Sequence, residues 1–96
     1  MTDFPNPEQL EHDVLHALAD FRGARVLEIG AGDGRMIRHY LRETALTVAL
    51  DSDWDELIAA RAESLKDTNA RLAHGQAERL PFSESSFDLA VFGWSL

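Results

Sequence analysis

The run Val26-Leu27-Glu28-Ile29-Gly30-Ala31-Gly32-Asp33-Gly34 constrains this chain more than any other stretch. An apolar, strand-like segment carrying one acid leads directly into three alternating glycines. The backbone must turn sharply there, and a ligand can approach it closely. In an open α/β sheet, such turns lie at the carboxyl ends of the strands, where ligands bind.

Apolar spacing elsewhere alternates between the helical and strand periods that define an α/β protein. Pro7 to Phe21 predicts an amphipathic helix with Leu10, Val14, Ala17, Leu18 and Phe21 on its apolar face and His12, Asp13, His16 and Asp20 elsewhere. Arg22-Gly23 ends it, and Arg25 to Ile29 is the first strand. After the glycines, Met36, Ile37, Tyr40 and Leu41 fall at helical spacing, and Leu46 to Leu50, ending at Asp51, is a second strand. Asp53 and Glu56 are placed as a capping box, so a helix starts near Trp54. Arg71 to His74 is a short third strand ended by Gly75, and Phe87 to Phe92 is the fourth and most apolar. No internal repeat, low-complexity tract or linker interrupts them.

Strands separated by helices run parallel, with each crossover right-handed. Glu28 to Gly34, Asp51-Ser52 and Gln76-Ala77-Glu78 therefore converge at one end of the sheet.

Composition narrows the partners. Ninety-six residues make one domain at most, with a modest core. The net charge of −8 disfavours binding to a phosphate backbone, so neither nucleic acid nor a membrane surface is expected as partner, and small molecules are the better fit. Met1-Thr2-Asp3-Phe4-Pro5 has neither a basic flank nor an apolar run, so no signal peptide is read there. With no cysteine, disulfides and thiolate zinc sites are excluded, and a cytoplasmic setting is the default expectation.

A dinucleotide loop also places glycines between strand and helix with an acid about 20 residues on, a spacing that Gly30 and Asp51 meet. Two residues argue against it. Asp33 stands where a pyrophosphate would lie, at a cost of about 1–4 kcal/mol for close like charges near a surface. Arg35 occupies the position where that loop needs a glycine. A cationic ligand without phosphate gains instead from Glu28 and Asp33.

At these residues the sequence resembles the class I S-adenosylmethionine-dependent methyltransferases, which have a Rossmann-like fold. Val26 to Gly34 is similar to their first motif and Asp51 to the acidic end of their second strand. Gly75 to Phe82 and Phe87 to Leu96 are similar to the third and fourth strand segments. The resemblance runs from Arg22 to the end, and its strength lies in the order of these motifs.

The resemblance implies a parallel sheet in the order 3-2-1-4 and a site assembled residue by residue. The backbone of Gly30, Ala31, Gly32, Asp33 and Gly34 would lie against the methionine part of S-adenosylmethionine, with Glu28 orienting the loop and facing the amino group. Asp51 would accept from both ribose hydroxyls and Ser52 would begin the adenine wall. Gln76 and Ala77 would read the adenine edge, and Phe92 and Gly93 would meet the cofactor at the fourth strand. Leu80-Pro81-Phe82 resembles the family's apolar turn. Gln76 departs from the aspartate common at its position, and its neutral carbonyl keeps only the acceptor.

Other groupings have plainer readings. Glu8, His12 and His16 recur at helical spacing but lie opposite the apolar face and read as solvated, so no metal site is expected. Arg35, Arg38, His39 and Arg42 read as an exposed basic stripe, and Glu78 as a solvated acid. Trp54 and Trp94 read as packing or partner surface.

The family's chemistry is displacement at the cofactor's sulfonium by an acceptor nucleophile, giving S-adenosylhomocysteine without a metal. No catalytic base is nominated, because family members carry acceptor-binding groups mostly after the fourth strand. The chain is expected to be a single unit over residues 1–96, a leading helix at 1–21 followed by the cofactor-binding half at 22–96, with the acceptor-binding half missing. The fourth strand would then leave an edge for a homodimer or a partner chain. Two other functions are weighed: a non-catalytic module binding the same cofactor, and a nicotinamide-dependent oxidoreductase fragment, against which Asp33 and Arg35 count.

Overall fold

The computed structural model describes residues 6–76, 78–79 and 85–93. Helix α1 spans Pro7–Leu18 and helix α2 Trp54–Ala62; strands β1 (Arg25–Ile29), β2 (Leu46–Asp51), β3 (Arg71–His74) and β4 (Leu89–Phe92) form one sheet. All neighbours pair parallel, in the order β3-β2-β1-β4 expected of the sequence. Among the described residues no helix is long and apolar enough to cross a membrane.

Side chains alternate across a strand, so β1 divides its burial between two faces. Val26 joins Phe21, Ile37, Tyr40, Ala49, Ala60 and Leu65 in one core cluster, while Leu27 and Ile29 join Val48 and Leu50 in a second on the other face. Glu28 shares the face of Val26 and is completely buried. Phe21 and Tyr40 stack with ring centroids 4.4 Å apart. Each contributes about 1.5–3 kcal/mol by leaving water.

Helix α1 starts where expected. Asn6 caps it, its side chain accepting from the amides of Glu8 and Gln9, and Pro7 occupies the first turn, where no amide hydrogen is needed. Its far end and its orientation differ from the pattern. The helix stops at Leu18, because Asp20 takes both the amide and the guanidinium of Arg22 into a turn. Phe21 thus leaves the helix and enters the core.

Leu10, Val14 and Leu18 are 49%, 48% and 79% exposed, so the predicted apolar face points away from the sheet. The opposite face docks. Glu11 binds Arg35 and His39, Glu8 pairs with Arg38, and His16 binds Glu43 at 2.6 Å. The basic stripe read as exposed is therefore partly the counter-surface of Glu8 and Glu11, and His16, read as solvated, faces Glu43. Leu15, on this docked face, joins the core cluster, and the charge pairs with distant segments, invisible in helical periodicity, flank it.

Two further expectations are corrected. Met36 to Leu41 was expected to form a helix; instead there are two 3-10 turns, Ile37–His39 and Leu41–Glu43, separated at Tyr40, where φ is −134°. Ile37 and Tyr40, three apart, suit the 3-10 repeat, and both are buried. At α2, Asp53 accepts from the amides of Asp55 and Glu56, but its own amide goes to the Asp51 carboxylate at 2.8 Å instead of to Glu56. The cap is one-sided because the strand-end acid has already taken the second donor.

Candidate functional site

Hydrogen bonds to the end of β2 hold the glycine turn. The amides of Gly30 and Ala31 both donate to the Leu50 carbonyl, at 2.8 and 3.0 Å, binding the turn to the end of β2. The amide of Gly32 donates to Asp51 Oδ2 at 2.7 Å, and Asp51 Oδ1 takes the Asp53 amide. One carboxylate therefore fixes both the glycine loop and the turn entering α2. Asp33 caps the loop from within by accepting from the Arg35 amide at 3.1 Å.

Glycine is required here on two counts at Gly34. Its φ is +81°, and a Cβ would stand 2.9 Å from Leu65 Cγ. At Gly32, with φ of +57°, the surrounding space is open and only the backbone conformation demands glycine.

Cavities flank the loop on both sides. The larger, about 600 Å³, is lined by Ile29, Gly30, Leu50, Asp51, Ser52, Gly75, Gln76 and Glu78. The smaller, about 280 Å³, is lined by Gly30, Ala31, Gly32, Asp33, Arg35, Met36 and Gly93. Gly30 borders both. A third, about 360 Å³, shares Ser52, Gly75 and Gln76 with the first and adds His74 and Arg79.

Of the residues expected at a site, Gly30, Ala31, Gly32, Asp33, Asp51, Ser52 and Gln76 converge on these cavities. Gly34 is buried behind the loop, and Phe92, 63% exposed at the end of β4, lines none of the three. Ala77, Leu80-Pro81-Phe82 and Trp94 lie outside the described residues. Glu78 does line the larger cavity.

Glu28 lies beneath the loop, inside the core. Its Oε1 accepts from the Tyr40 hydroxyl at 2.7 Å, and Oε2 has no hydrogen-bond partner among the described residues. A Cβ at Gly93 would overlap Oε2, so the glycine backbone there makes room for the carboxyl. Burial pushes this carboxyl up to about 7, against the pull of the Tyr40 hydrogen bond and the Arg35 charge, with Asp33 adding to the rise. Burial likewise pushes the Tyr40 hydroxyl up, and the Glu28 charge adds to it. Sequence reasoning found Glu28 but not Tyr40, whose only signal was a hydroxyl on an apolar helical face.

His74 was also missed. It ends β3 opposite Asp51, its Nε2 is 2.9 Å from the Ser52 carbonyl, and its ring meets Trp54 edge-on at 5.6 Å. Among the described residues no cluster of His, Cys, Asp or Glu is placed to hold a metal ion.

A family model described as methyltransferase domain matches residues 26–96. Among solved structures, the chain is similar to the YcgJ protein of Bacillus subtilis, at 27% identity and a TM-score of 0.76, covering 85% of this chain and 36% of that one. It is similar to an S-adenosylmethionine-dependent methyltransferase of Mesorhizobium loti, at 28% identity and a TM-score of 0.69, covering 81% of this chain and 36% of that one. It is also similar to a chain of the Haloferax volcanii complex between the Trm112 methyltransferase activator and a methyltransferase. There the identity is 27% and the TM-score 0.70, covering 86% of this chain and 38% of that one. The chain thus spans 36–38% of the length of these structures. No curated protein matches it.

Proposed function

The chain belongs to the methyltransferase-domain family, whose model covers residues 26–96, and on that premise we propose that it binds S-adenosylmethionine around the glycine loop and serves methyl transfer to a small-molecule acceptor. Its parallel sheet in the order β3-β2-β1-β4 is the Rossmann-like arrangement of class I methyltransferases. The observation that carries the reading is the tie between Gly32 and Asp51, with one cavity on each side.

The residues present suit this cofactor. The larger cavity falls in the size range of small-molecule sites, and the polar side chains lining the two are Asp33, Arg35, Asp51, Ser52, Gln76 and Glu78, with one cation and no phosphate-binding cluster. Asp33 and the loop backbone would hold the methionine end, with the buried Glu28 supporting the loop from below and Gly34 shaping it. Asp51 keeps free lone pairs after accepting two amides, enough to take ribose hydroxyls. Ser52, Gln76 and Ala77 would bound the adenine, and Ile29 and Leu50 add apolar floor. Gly93, after β4, would bound the crevice on that side. When bound, the cofactor supplies a methyl group already activated by its positive sulfur. The chain's own work is to bind, orient and exclude water.

We propose a cytoplasmic setting on the lack of cysteine, and treat residues 1–96 as one unit. Among the described residues β4 pairs only with β1, and Ala90 and Phe92 are exposed along it. That edge suits a further strand from a second copy or a partner chain. Light scattering tests it: a folded monomer at high concentration counts against pairing.

Calorimetric titration with S-adenosylhomocysteine tests the cofactor reading. Micromolar or tighter binding, weakened severely by Asp51→Ala, is expected. Absence of binding to the wild type at millimolar ligand overturns it. Binding without turnover on any acceptor would favour a non-catalytic module.

A further inference from the structure

We propose that His74 is a positioning residue for the adenosine end of the crevice, a role that rests on reading that crevice as a cofactor site. The turn Ser52-Asp53 joins β2 to α2 and is exposed, yet it carries two things the site needs. Ser52 lines the larger cavity, and the Asp53 amide fixes Asp51 Oδ1. If the turn drifts, Asp51 loses one of its two anchors.

His74 supplies the restraint from the neighbouring strand. It stands in register with Asp51, and the amide of the next residue, Gly75, donates to the Asp51 carbonyl at 3.0 Å. Its Nε2 lies 2.9 Å from the Ser52 carbonyl. A carbonyl only accepts, so Nε2 carries the hydrogen in the pair. The Trp54 ring, packed edge-on at 5.6 Å and 66°, holds the imidazole on this heading. The turn is thus pinned at Ser52 by His74 and at Asp53 by Asp51, on the two sides of the peptide that borders the cavity. His74 also lines the adjoining 360 Å³ cavity, so it stands at the outer lip of the crevice.

A histidine merely filling an exposed position at the end of an edge strand would make the same contacts without affecting binding. Three variants separate the two roles. His74→Phe keeps a ring against Trp54 and removes the donor; His74→Gln keeps a donor near the Nε2 position; His74→Ala removes both.

Affinity for S-adenosylhomocysteine is measured by calorimetry, with thermal midpoints and amide exchange of the ligand-free chain read in parallel. His74→Phe is expected to weaken binding about three- to ten-fold, the range of one hydrogen bond, with an unchanged midpoint. His74→Ala is expected to lose at least as much, and His74→Gln to bind within about two-fold of wild type. Without ligand, His74→Phe should speed exchange at residues 52–54 and leave β1 unchanged. Wild-type affinity in His74→Phe, no rescue by His74→Gln, or unchanged exchange at residues 52–54 overturns the role of His74 while leaving the cofactor reading intact. A wild type that binds no S-adenosylhomocysteine overturns the cofactor reading and the assignment together.

Discussion

Glu28 and Tyr40 share one buried hydrogen bond, 2.7 Å from hydroxyl to Oε1, and the second carboxyl oxygen of Glu28 has no partner among the described residues. A carboxylate so enclosed keeps its proton far above the usual range.

The consequence is a pH-dependent stability with a defined sign. The Glu28 carboxyl is raised from 4.5 to about 7 by burial, so between these values the folded chain binds a proton that the unfolded chain has released. Its contribution is fully present below 4.5 and is lost as pH rises through about 7, an effect on the order of 3 kcal/mol. His16, raised by its bond to Glu43, acts in the same direction. Glu28→Gln isolates the first group: denaturation midpoints of the variant should fall less than those of wild type from about pH 5 to about pH 8. Parallel curves for the two proteins would contradict the buried, raised carboxyl.

Gly34 gives a packing test. Gly34→Ala brings a Cβ to 2.9 Å from Leu65 Cγ on a backbone with φ of +81°, and a loss of about 2–4 kcal/mol is expected. Gly32→Ala meets open space, so only the backbone strain of about 1 kcal/mol should appear. Urea denaturation measures both, and adding Leu65→Ala to Gly34→Ala should show coupling by costing less than the sum of the two single changes. Strict additivity would mean that the two positions do not touch.

Asp51 separates holding from binding. In Asp51→Asn one oxygen can still accept, but the amide nitrogen must face a backbone N–H formerly bonded to a carboxylate. A stability loss of about 1–2 kcal/mol and at least a roughly ten-fold weaker affinity for S-adenosylhomocysteine are expected. Unchanged affinity measured by calorimetry would remove Asp51 from the site.

The sheet was legible in the sequence because strand identity here is written locally. Runs such as Arg25 to Ile29 and Arg71 to His74 are short, apolar or bounded by polar turns, and their parallel direction follows from the intervening segments, whereas the order 3-2-1-4 comes from the family resemblance. The glycine loop and Asp51 were legible for a related reason: a turn needing left-handed backbone and an acid ending a neighbouring strand are features of composition at fixed places. The pairing of His74 with the Ser52 carbonyl was not. It joins residues 22 apart through strand register, and nothing near His74 announces it. The same holds for Tyr40, whose burial is in the pattern while its hydroxyl's partner is not.

Helix α1 is the sharpest failure of periodicity, and it yields a test in which the pattern and the structure predict opposite results. Leu10 and Val14 are 49% and 48% exposed, so Leu10→Gln and Val14→Gln should each change stability by no more than about 0.5 kcal/mol. Leu15, 9% exposed and absent from the predicted apolar face, should cost about 2–3 kcal/mol as Leu15→Ala. Glu11→Gln weakens the pairing with Arg35 and His39, a half-exposed cluster worth no more than about 1 kcal/mol and screened by salt. Its effect should therefore fade as salt rises, while that of Leu15→Ala persists. If Leu10→Gln and Val14→Gln prove the costly pair in urea denaturation, the helix docks by its apolar stripe and the ion pairs are incidental. If Leu15→Ala does, burial of Leu15 is what seats α1, with the charge pairs flanking it, and the apolar stripe is left facing solvent.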